Sequence, residues 1–510
     1  MTRHSATVLL VRGSPDSDTV RQIYLVERAT GVHTWGGYHA FPGGVVDETD
    51  RDLPVAGLSE VSESSSRACA ARELFEETGV LLLAGGGDGP VPCDGRDPEV
   101  RAVRTAMLGV ETEPESRRFQ AFLAASGYAI DGGRLEPAGR RVTPRFSKRR
   151  YDTEFFCVVD PAGEPEVLQG ELDGGAWWTP ADALLAWQRG ALRLVSPTIE
   201  ALILLAERPL KEALQVLCSQ PPEFELSERV VHAQAGYDVL PLETPPLPRD
   251  MPTNTLLVGT ETFYVVDPGP NRELERAHLH AAIQRRLAAG DVARGILLTH
   301  HHPDHVGALD EIAHRYQLPV WAHVRTGERL QRDLERILVD GDVIPMGRSP
   351  DGREDWDLQA VFTPGHADGH LAFYDARHRA LVGGDLLSPL VSMYVGSPGG
   401  DLYDYFASLE RIGRLDVETF YPGHGAPTHA VDELIEKTVQ HRRARIEQVH
   451  GHLGAKPVGT LELAARIYPG ITPKAFSKQL VERATRAALE YLVREGRARA
   501  LGEDLYALVE

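Results

Sequence analysis

The segment Thr299-His-His-His-Pro-Asp-His305, directly after the apolar run Gly295–Leu298, constrains this chain more than any other. A short apolar run bounded by turn residues reads as a buried strand, and proline at 303 suits the first turn of a helix. The histidines therefore fall in a strand-to-helix turn, which can splay His300, His302, Asp304 and His305 into one pocket. Later partners each sit in a turn or a glycine-containing segment: Thr363-Pro-Gly-His366, Gly383-Gly-Asp385 and Tyr421-Pro-Gly-His-Gly425.

Counting donors gives two groups. His300, His302 and His366 offer three imidazoles to one tetrahedral ion with an open position. Asp304, His305 and His424 offer a second set, and Asp385 can bridge both. Imidazole-rich sites suit Zn2+, and an open coordination position marks a catalytic ion. The expectation is two Zn2+ ions close enough to activate water near neutral pH and steady both oxygens of a displacement. Asp304 is expected to orient that water as well as to bind metal, and His301 is by spacing the member of the triple that binds none.

These residues resemble the metallo-β-lactamase fold, a four-layer αβ/βα sandwich, over about residues 225–435. Asp267 in Val265-Val-Asp-Pro-Gly269 matches that family too, where it supports the metal loop rather than binding metal. His302 at the second position, where di-iron flavoprotein relatives carry Glu, disfavours those relatives. A finer resemblance, to the β-lactamase-like protein 2 group, rests on Asp401-Leu-Tyr-Asp-Tyr-Phe-Ala-Ser-Leu409 and His441-Arg-Arg-Ala-Arg-Ile-Glu447. That group implies a small winged-helix-like carboxy-terminal domain and includes zinc-dependent endoribonucleases acting on single-stranded RNA. The same ligand set also serves glyoxalase II-type thioester hydrolysis, so an acyl-CoA thioesterase is the alternative. Tyr403 and Tyr405 read as buried packing residues.

A second constellation lies near the amino terminus, in Arg72-Glu-Leu-Phe-Glu-Glu-Thr-Gly-Val80. On a helix Glu73, Glu76 and Glu77 stand at i, i+3 and i+4 and share a face. A hard cation with oxygen ligands, Mg2+ or Mn2+, would relieve their repulsion. Gly79 sits where a helix stops, and Gly43 and Gly44 of Phe41-Pro-Gly-Gly44 form a loop that can bring backbone close to a substrate.

This stretch resembles the closing half of the Nudix box, Arg-Glu-aliphatic-x-Glu-Glu-x-Gly-aliphatic. By resemblance Glu73, Glu76 and Glu77 take the metal and base roles, Glu73 being the base, with Arg72, Gly43 and Gly44 in support. The substrate class implied is a phosphorylated small molecule, a nucleoside diphosphate linked to another group. The opening half departs: Gly44 to Asp50 keeps the first spacing with Asp for Glu, but Arg72 comes late, so an insertion is implied. That insertion, with Arg149–Phe156 and Trp178-Thr-Pro180, resembles the coenzyme A diphosphatase branch over about residues 5–210. A Nudix domain that only binds and regulates is a further alternative.

The chain of 510 residues and 56.0 kDa is long enough for several domains. The reading divides it into an α/β/α Nudix sandwich over 1–215, the metallo-β-lactamase fold over 225–435 and the winged-helix-like segment over 436–510. The Pro-rich stretch Pro241–Pro252 reads as a connector and Gly85–Asp97 as a loop. From Lys437 to Arg499 there are 13 Lys and Arg against 5 Asp and Glu, whereas the whole chain carries −20. A nucleic-acid coat is excluded, but a basic tail that meets an anionic substrate is not. No stretch approaches the ~18 apolar residues of a membrane span. No signal-peptide pattern opens the chain, and Cys69, Cys93, Cys157 and Cys218 form no disulfide framework. The expectation is a cytoplasmic protein.

Overall fold

The computed structural model describes residues 2–13, 21–30, 36–58, 64–85, 98–107, 115–144, 147, 149–220, 230–245, 247, 251–468, 475–502 and 504–509. Most of the glycine-rich loop expected at 85–97, and part of the Pro-rich connector, lie outside these residues. The chain divides into two compact units, Met1–Glu228 with His232–Ala235, and Arg229–Val231 with Gly236–Glu510.

In the first unit the strand Thr2–Arg12 runs parallel to Arg150–Val159 and antiparallel to Gln22–Arg28. Successive side chains of a strand point to opposite faces, and both faces of this one are apolar. Val8 and Leu10 pack beneath the helix Ser64–Thr78, against Leu74 and Phe75. Leu9 and Val11 pack on the other side against Ile199 and Leu202 of the helix Ser196–Glu207. The sheet is thus covered on both faces, an α/β/α sandwich. Gly43–Val45 pairs antiparallel with Ser5–Thr7, which carries the Gly-Gly loop to the same strand that the glutamate helix covers. The helix ends where Gly79 takes φ +74°, its N–H donating to the Phe75 carbonyl at 2.7 Å.

In the second unit the strands Tyr237–Leu242, Thr253–Gly259, Thr262–Val266, Val292–Leu297, Val320–Ala322 and Arg336–Ile337 lie side by side in chain order. The hairpin read around Gly259 is present, with that glycine at φ +133°. A second sheet follows in chain order, from Val343–Gly347 through Trp356–Phe362, Leu371–Asp375 and Ala380–Gly384 to Thr419–Pro422. Helices Glu273–Ala288 and Leu309–Tyr316 cover the first sheet, and Leu402–Ile412 and Val431–Gly451 cover the second. Between the sheets Tyr237 stacks on Tyr421 with ring centroids 4.7 Å apart, completing four layers.

The carboxy-terminal helices Thr460–Ile467 and Ala475–Arg494, with a three-stranded sheet of Val458–Gly459, Leu505–Leu508 and Ala498–Ala500, belong to this second unit. Their Leu463, Leu489 and Leu492 join one apolar cluster with Leu402, Tyr405 and Leu409. The helix Val431–Gly451 runs unbroken from one part to the other.

Candidate functional site

The strand Val292–Leu297 delivers Thr299 and His300 to the end of the first sheet, and the four-residue helix Pro303–Val306 turns Asp304 and His305 inward. His366 comes from the loop after Trp356–Phe362, Asp385 from the end of Ala380–Gly384, and His424 from the loop after Thr419–Pro422. These side chains converge as two donor groups, His300, His302, His366 and Asp385, and then Asp304, His305 and His424, with a third close set, Asp267, His300 and His305, overlapping both.

The distances test whether metal ions fit. Donors on a tetrahedral Zn2+ with bonds of about 2.0–2.1 Å stand about 3.3 Å apart. In the first group His300 Nε2 lies 2.9 Å and His366 Nε2 2.8 Å from His302 Nδ1, and Asp385 Oδ2 lies 3.4 Å from His366 Nε2. In the second, Asp304 Oδ2 is 3.5 Å from His305 Nε2 and 3.3 Å from His424 Nε2. Asp385 Oδ1 reaches that group at 3.3 Å from His305 and 3.4 Å from His424. One carboxylate thus turns one oxygen to each group. His305 Nε2 and Asp385 Oδ1 are buried and make no hydrogen bond. Orphaned donors at ligand spacing are what a cation pair satisfies, so the residues fit two ions.

The outer nitrogens of His305, His366 and His424 are fixed as a metal ligand requires. His305 Nδ1 donates to Asp267 Oδ2 at 2.8 Å, His366 Nδ1 to the Tyr394 carbonyl at 2.6 Å and His424 Nδ1 to the Pro252 carbonyl at 3.0 Å. Asp267 also accepts from the Thr299 N–H at 2.7 Å and the Thr299 hydroxyl, and it holds φ +50° to do so. Thr253 donates its hydroxyl to Asp304 Oδ2 at 3.1 Å. Asp267 thus contacts the His305 ring and the Thr299 backbone at the base of the cluster.

Protonation follows the same division. Burial, with His305, His302 and His366 as neighbours, pushes His300 well below the usual imidazole range, and burial lowers His302 and His366 as well. Burial acts downward on His424 too, but Asp385 and Asp304 outweigh it and lift this ring to about 10. Asp385, Asp304 and Asp267 likewise raise His305. Burial opposes the charge on Asp304, yet His305 and His424 bring it down to about 2. The metal-free second group thus holds protons on imidazoles that a metal would displace.

His301 joins neither group; its ring centroid lies 5.0 Å from that of His302. His370 escaped the sequence reading. It is fully buried, pairs its Nδ1 with the Thr363 hydroxyl at 2.8 Å, and lies 5.3 Å from the His300 ring centroid. Its spacing of four from His366 within a glycine loop was the available signal. Tyr405 is buried as expected, but Tyr403 is 51 % exposed and stands beside Tyr491 and Arg494.

In the first unit Arg72 is buried, and its guanidinium grips Asp50 with Nε at 2.8 Å and Nη2 at 3.1 Å. The same group reaches Glu73 at 2.9 Å and Glu76 at 3.4 Å. Glu77 turns the other way and accepts from the Gly43 N–H at 2.9 Å. A Cβ on Gly44 would collide with the Glu73 carboxylate where it stands, so a larger residue there would displace that carboxylate. Burial, reinforced by Glu73, pushes the Glu77 carboxyl up to about 8. Arg72 draws Glu73 and Glu76 to one nitrogen while the Gly43 N–H holds Glu77 away from them, and the close three-donor groups among the described residues all lie in the second unit. Hard-oxygen donors on one helix face suit a Mg2+ or Mn2+ ion, which keeps several waters and needs only one or two carboxylates.

Comparison with known proteins agrees with this division. The model of the metallo-beta-lactamase superfamily matches residues 248–424, and that of the NUDIX domain matches residues 1–120. The lactamase-like protein vrtG of Penicillium aethiopicum is 32% identical over 235 residues, spanning 45% of this chain and 67% of that protein. The beta-lactamase-like protein 2 homolog of Caenorhabditis elegans is 29% identical over 203 residues, 39% of this chain and 64% of its own. A NUDIX hydrolase structure from Alicyclobacillus acidocaldarius is 30% identical and covers 43% of this chain and 99% of that one, with a TM-score of 0.35. The chain belongs to the metallo-beta-lactamase superfamily and carries a NUDIX domain ahead of that part. It is a hydrolase with two metal-dependent domains, and no helix among the described residues is long and apolar enough to cross a membrane.

Proposed function

We propose a two-headed hydrolase in which a dinuclear zinc centre cleaves a phosphodiester, single-stranded RNA foremost, and the Nudix head cleaves a diphosphate of a nucleotide or CoA-like compound. The observation that carries the zinc reading is Asp385, whose two oxygens divide between the two donor groups. His300, His302 and His366 would hold one ion, Asp304, His305 and His424 the other, with Asp385 shared. When bound, the pair supplies Lewis acidity and water activated near neutral pH. Asp267 keeps the His305 ring turned inward, and Asp304, steadied by Thr253, orients the attacking water.

In the Nudix head Glu73, Glu76 and Glu77 would hold Mg2+ or Mn2+, with Glu73 as base, while Arg72 keeps the carboxylates from spreading. The excess of Lys and Arg over Asp and Glu from Lys437 to Arg499 supports an anionic substrate for the zinc head. Three described cysteines without disulfides, Cys69, Cys157 and Cys218, accord with a reducing cytoplasm. In domain terms the reading is a Nudix domain over 1–215, a metallo-β-lactamase-fold domain over 225–435 and a tail over 436–510.

Elemental analysis of the full-length protein followed by a substrate panel tests this. Cleavage of short RNA with zinc, falling steeply with salt and lost in Asp385→Asn, is the expected result. Thiol release from acyl-CoA with RNA left intact would reassign the zinc head to thioester hydrolysis. Diphosphatase activity unchanged in the Glu76→Gln/Glu77→Gln double variant would show that the Nudix helix does not carry it.

A further inference from the structure

The segment Pro422-Gly423-His424-Gly425 places one candidate donor between two glycines. Glycine leaves the backbone free to turn, and Gly425 sits at φ +99°, so the path of the chain through His424 has to be set from outside the loop. Asn254, the second residue of the strand Thr253–Gly259, does most of this. Its backbone N–H donates to the Gly423 carbonyl at 2.7 Å. Its side-chain Nδ2 donates to the Pro422 carbonyl at 2.8 Å and to the Gly425 carbonyl at 2.7 Å. Of these four consecutive carbonyls Asn254 satisfies three, and the Ser388 hydroxyl donates to that of His424 at 2.9 Å.

Asn254 is 1 % exposed, and its Oδ1 is buried with no hydrogen bond. A buried orphan acceptor costs free energy, so the carboxamide is not there for its oxygen. What it supplies is the pair of N–H groups that bracket His424 from both sides. Asn254 belongs to the first sheet and the loop follows the last strand of the second, so the bracket ties the sheets where the donors meet. The neighbours of Asn254 work on the same donors: the Thr253 hydroxyl donates to Asp304 Oδ2 at 3.1 Å, and the Pro252 carbonyl accepts from His424 Nδ1 at 3.0 Å. On its other side the loop is anchored by the Gly423 N–H, which donates to the Gly384 carbonyl, next to Asp385, at 2.6 Å.

We infer that Asn254 is a positioning residue of the second donor group: its carboxamide fixes the loop through His424 and aims that ring at Asp304 and Asp385. This rests on the metal-centre reading above and adds to it a residue on which the affinity for one of the two ions depends. Both side-chain N–H groups are spent on the loop's carbonyls, so Asn254 acts through the backbone of the loop.

The test is metal binding by the full-length protein, wild type against Asn254→Leu and Asn254→Ser, with His424→Ala as the benchmark for a lost donor. Leucine keeps the bulk of the side chain and removes both donors without adding charge; serine keeps one short donor. Competition with a chromogenic chelator reads the two zinc affinities, the visible spectrum of the Co2+-loaded protein reads ligand geometry, and melting of the metal-free protein reads folding. Expected in Asn254→Leu is one zinc ion weakened about 10- to 100-fold with the other within about twofold. Its Co2+ spectrum should move toward that of His424→Ala. Both affinities within about twofold of wild type would overturn the inference, a lowered melting temperature then marking Asn254 as a staple between sheets and nothing more. Both ions weakened alike would overturn it too. Should Asn254→Leu misfold, Asn254→Ser decides: a loss above about twofold confined to one ion supports the inference, and any smaller change overturns it. Wild type that takes up no zinc would overturn the inference and the metal-centre reading together, whereas two ions in wild type and a variant indistinguishable from it overturn the inference alone.

Discussion

Asp50 accepts two hydrogen bonds from the buried guanidinium of Arg72, at 2.8 and 3.1 Å, although 22 residues separate them. The pair closes the Nudix motif across its insertion: the acid at the Gly44-to-Asp50 spacing and the arginine before the glutamates meet as if nothing lay between. Asp50 is 0 % exposed, so its removal leaves a buried cation with only Glu73 and Glu76 to answer it. Asp50→Ala should destabilise the first unit by about 3 kcal/mol. Urea unfolding followed by the tryptophans of that unit checks the value; a shift below about 1 kcal/mol would mean the glutamates alone suffice.

Asp267 sets the His305 ring through a 2.8 Å hydrogen bond. Asp267→Asn should weaken zinc affinity about 10- to 100-fold while leaving the number of ions at saturation unchanged. Competition against a chromogenic chelator gives both quantities. Asp385→Asn should behave differently, lowering the number itself, because one donor group then faces an amide nitrogen that cannot ligate and the other a neutral carbonyl.

The Glu77 carboxyl sits at about 8 in the metal-free protein, above its ordinary 4.5. Between those values the folded state holds a proton that the unfolded chain has released, so stability falls as pH rises from about 5 to 8. Glu77→Gln should flatten this slope. Mn2+, which requires the ionised carboxylate, should bind more tightly as pH rises through 8. Melting curves at several pH values, with and without Mn2+, read both effects.

Asp375 gathers the Tyr237 hydroxyl, the Trp356 indole N–H and the His378 ring within 2.6–2.7 Å. Burial alone would raise it, but His378 and the Tyr237 hydroxyl bring it below 3.8. Its contribution is complete above about pH 4 and is lost as pH falls through the depressed value. Asp375→Asn should lower stability at pH 7 and shrink the loss on acidification. Acid titration of the melting temperature is the measurement.

The candidate metal donors were legible because turns bring together residues whose spacing is visible along the chain: His300, His302, Asp304 and His305 in one loop, the others beside glycines. Their outer partners were less so. The Tyr394 and Pro252 carbonyls that orient His366 and His424 carry no sequence signal, since any residue supplies a carbonyl. Asp267 could be read from family resemblance alone. Tyr403 misled because an aromatic on an amphipathic helix reads as core, whereas here it lies against Tyr491 and Arg494 with half its surface open. The packing of the tail was hidden too: Leu463 and Leu492 show helical periodicity, but periodicity does not say which sheet they cover.

The loop that orients His366 does not end at Tyr394. Three residues on, Ser397 donates its hydroxyl to Glu490 at 2.9 Å and its N–H to the Arg483 carbonyl at 3.1 Å, both on the long final helix. The smallest excisable piece able to present the complete donor cluster therefore extends through that helix. A fragment cut after residue 435 would keep every candidate donor while losing the buttress behind one of them.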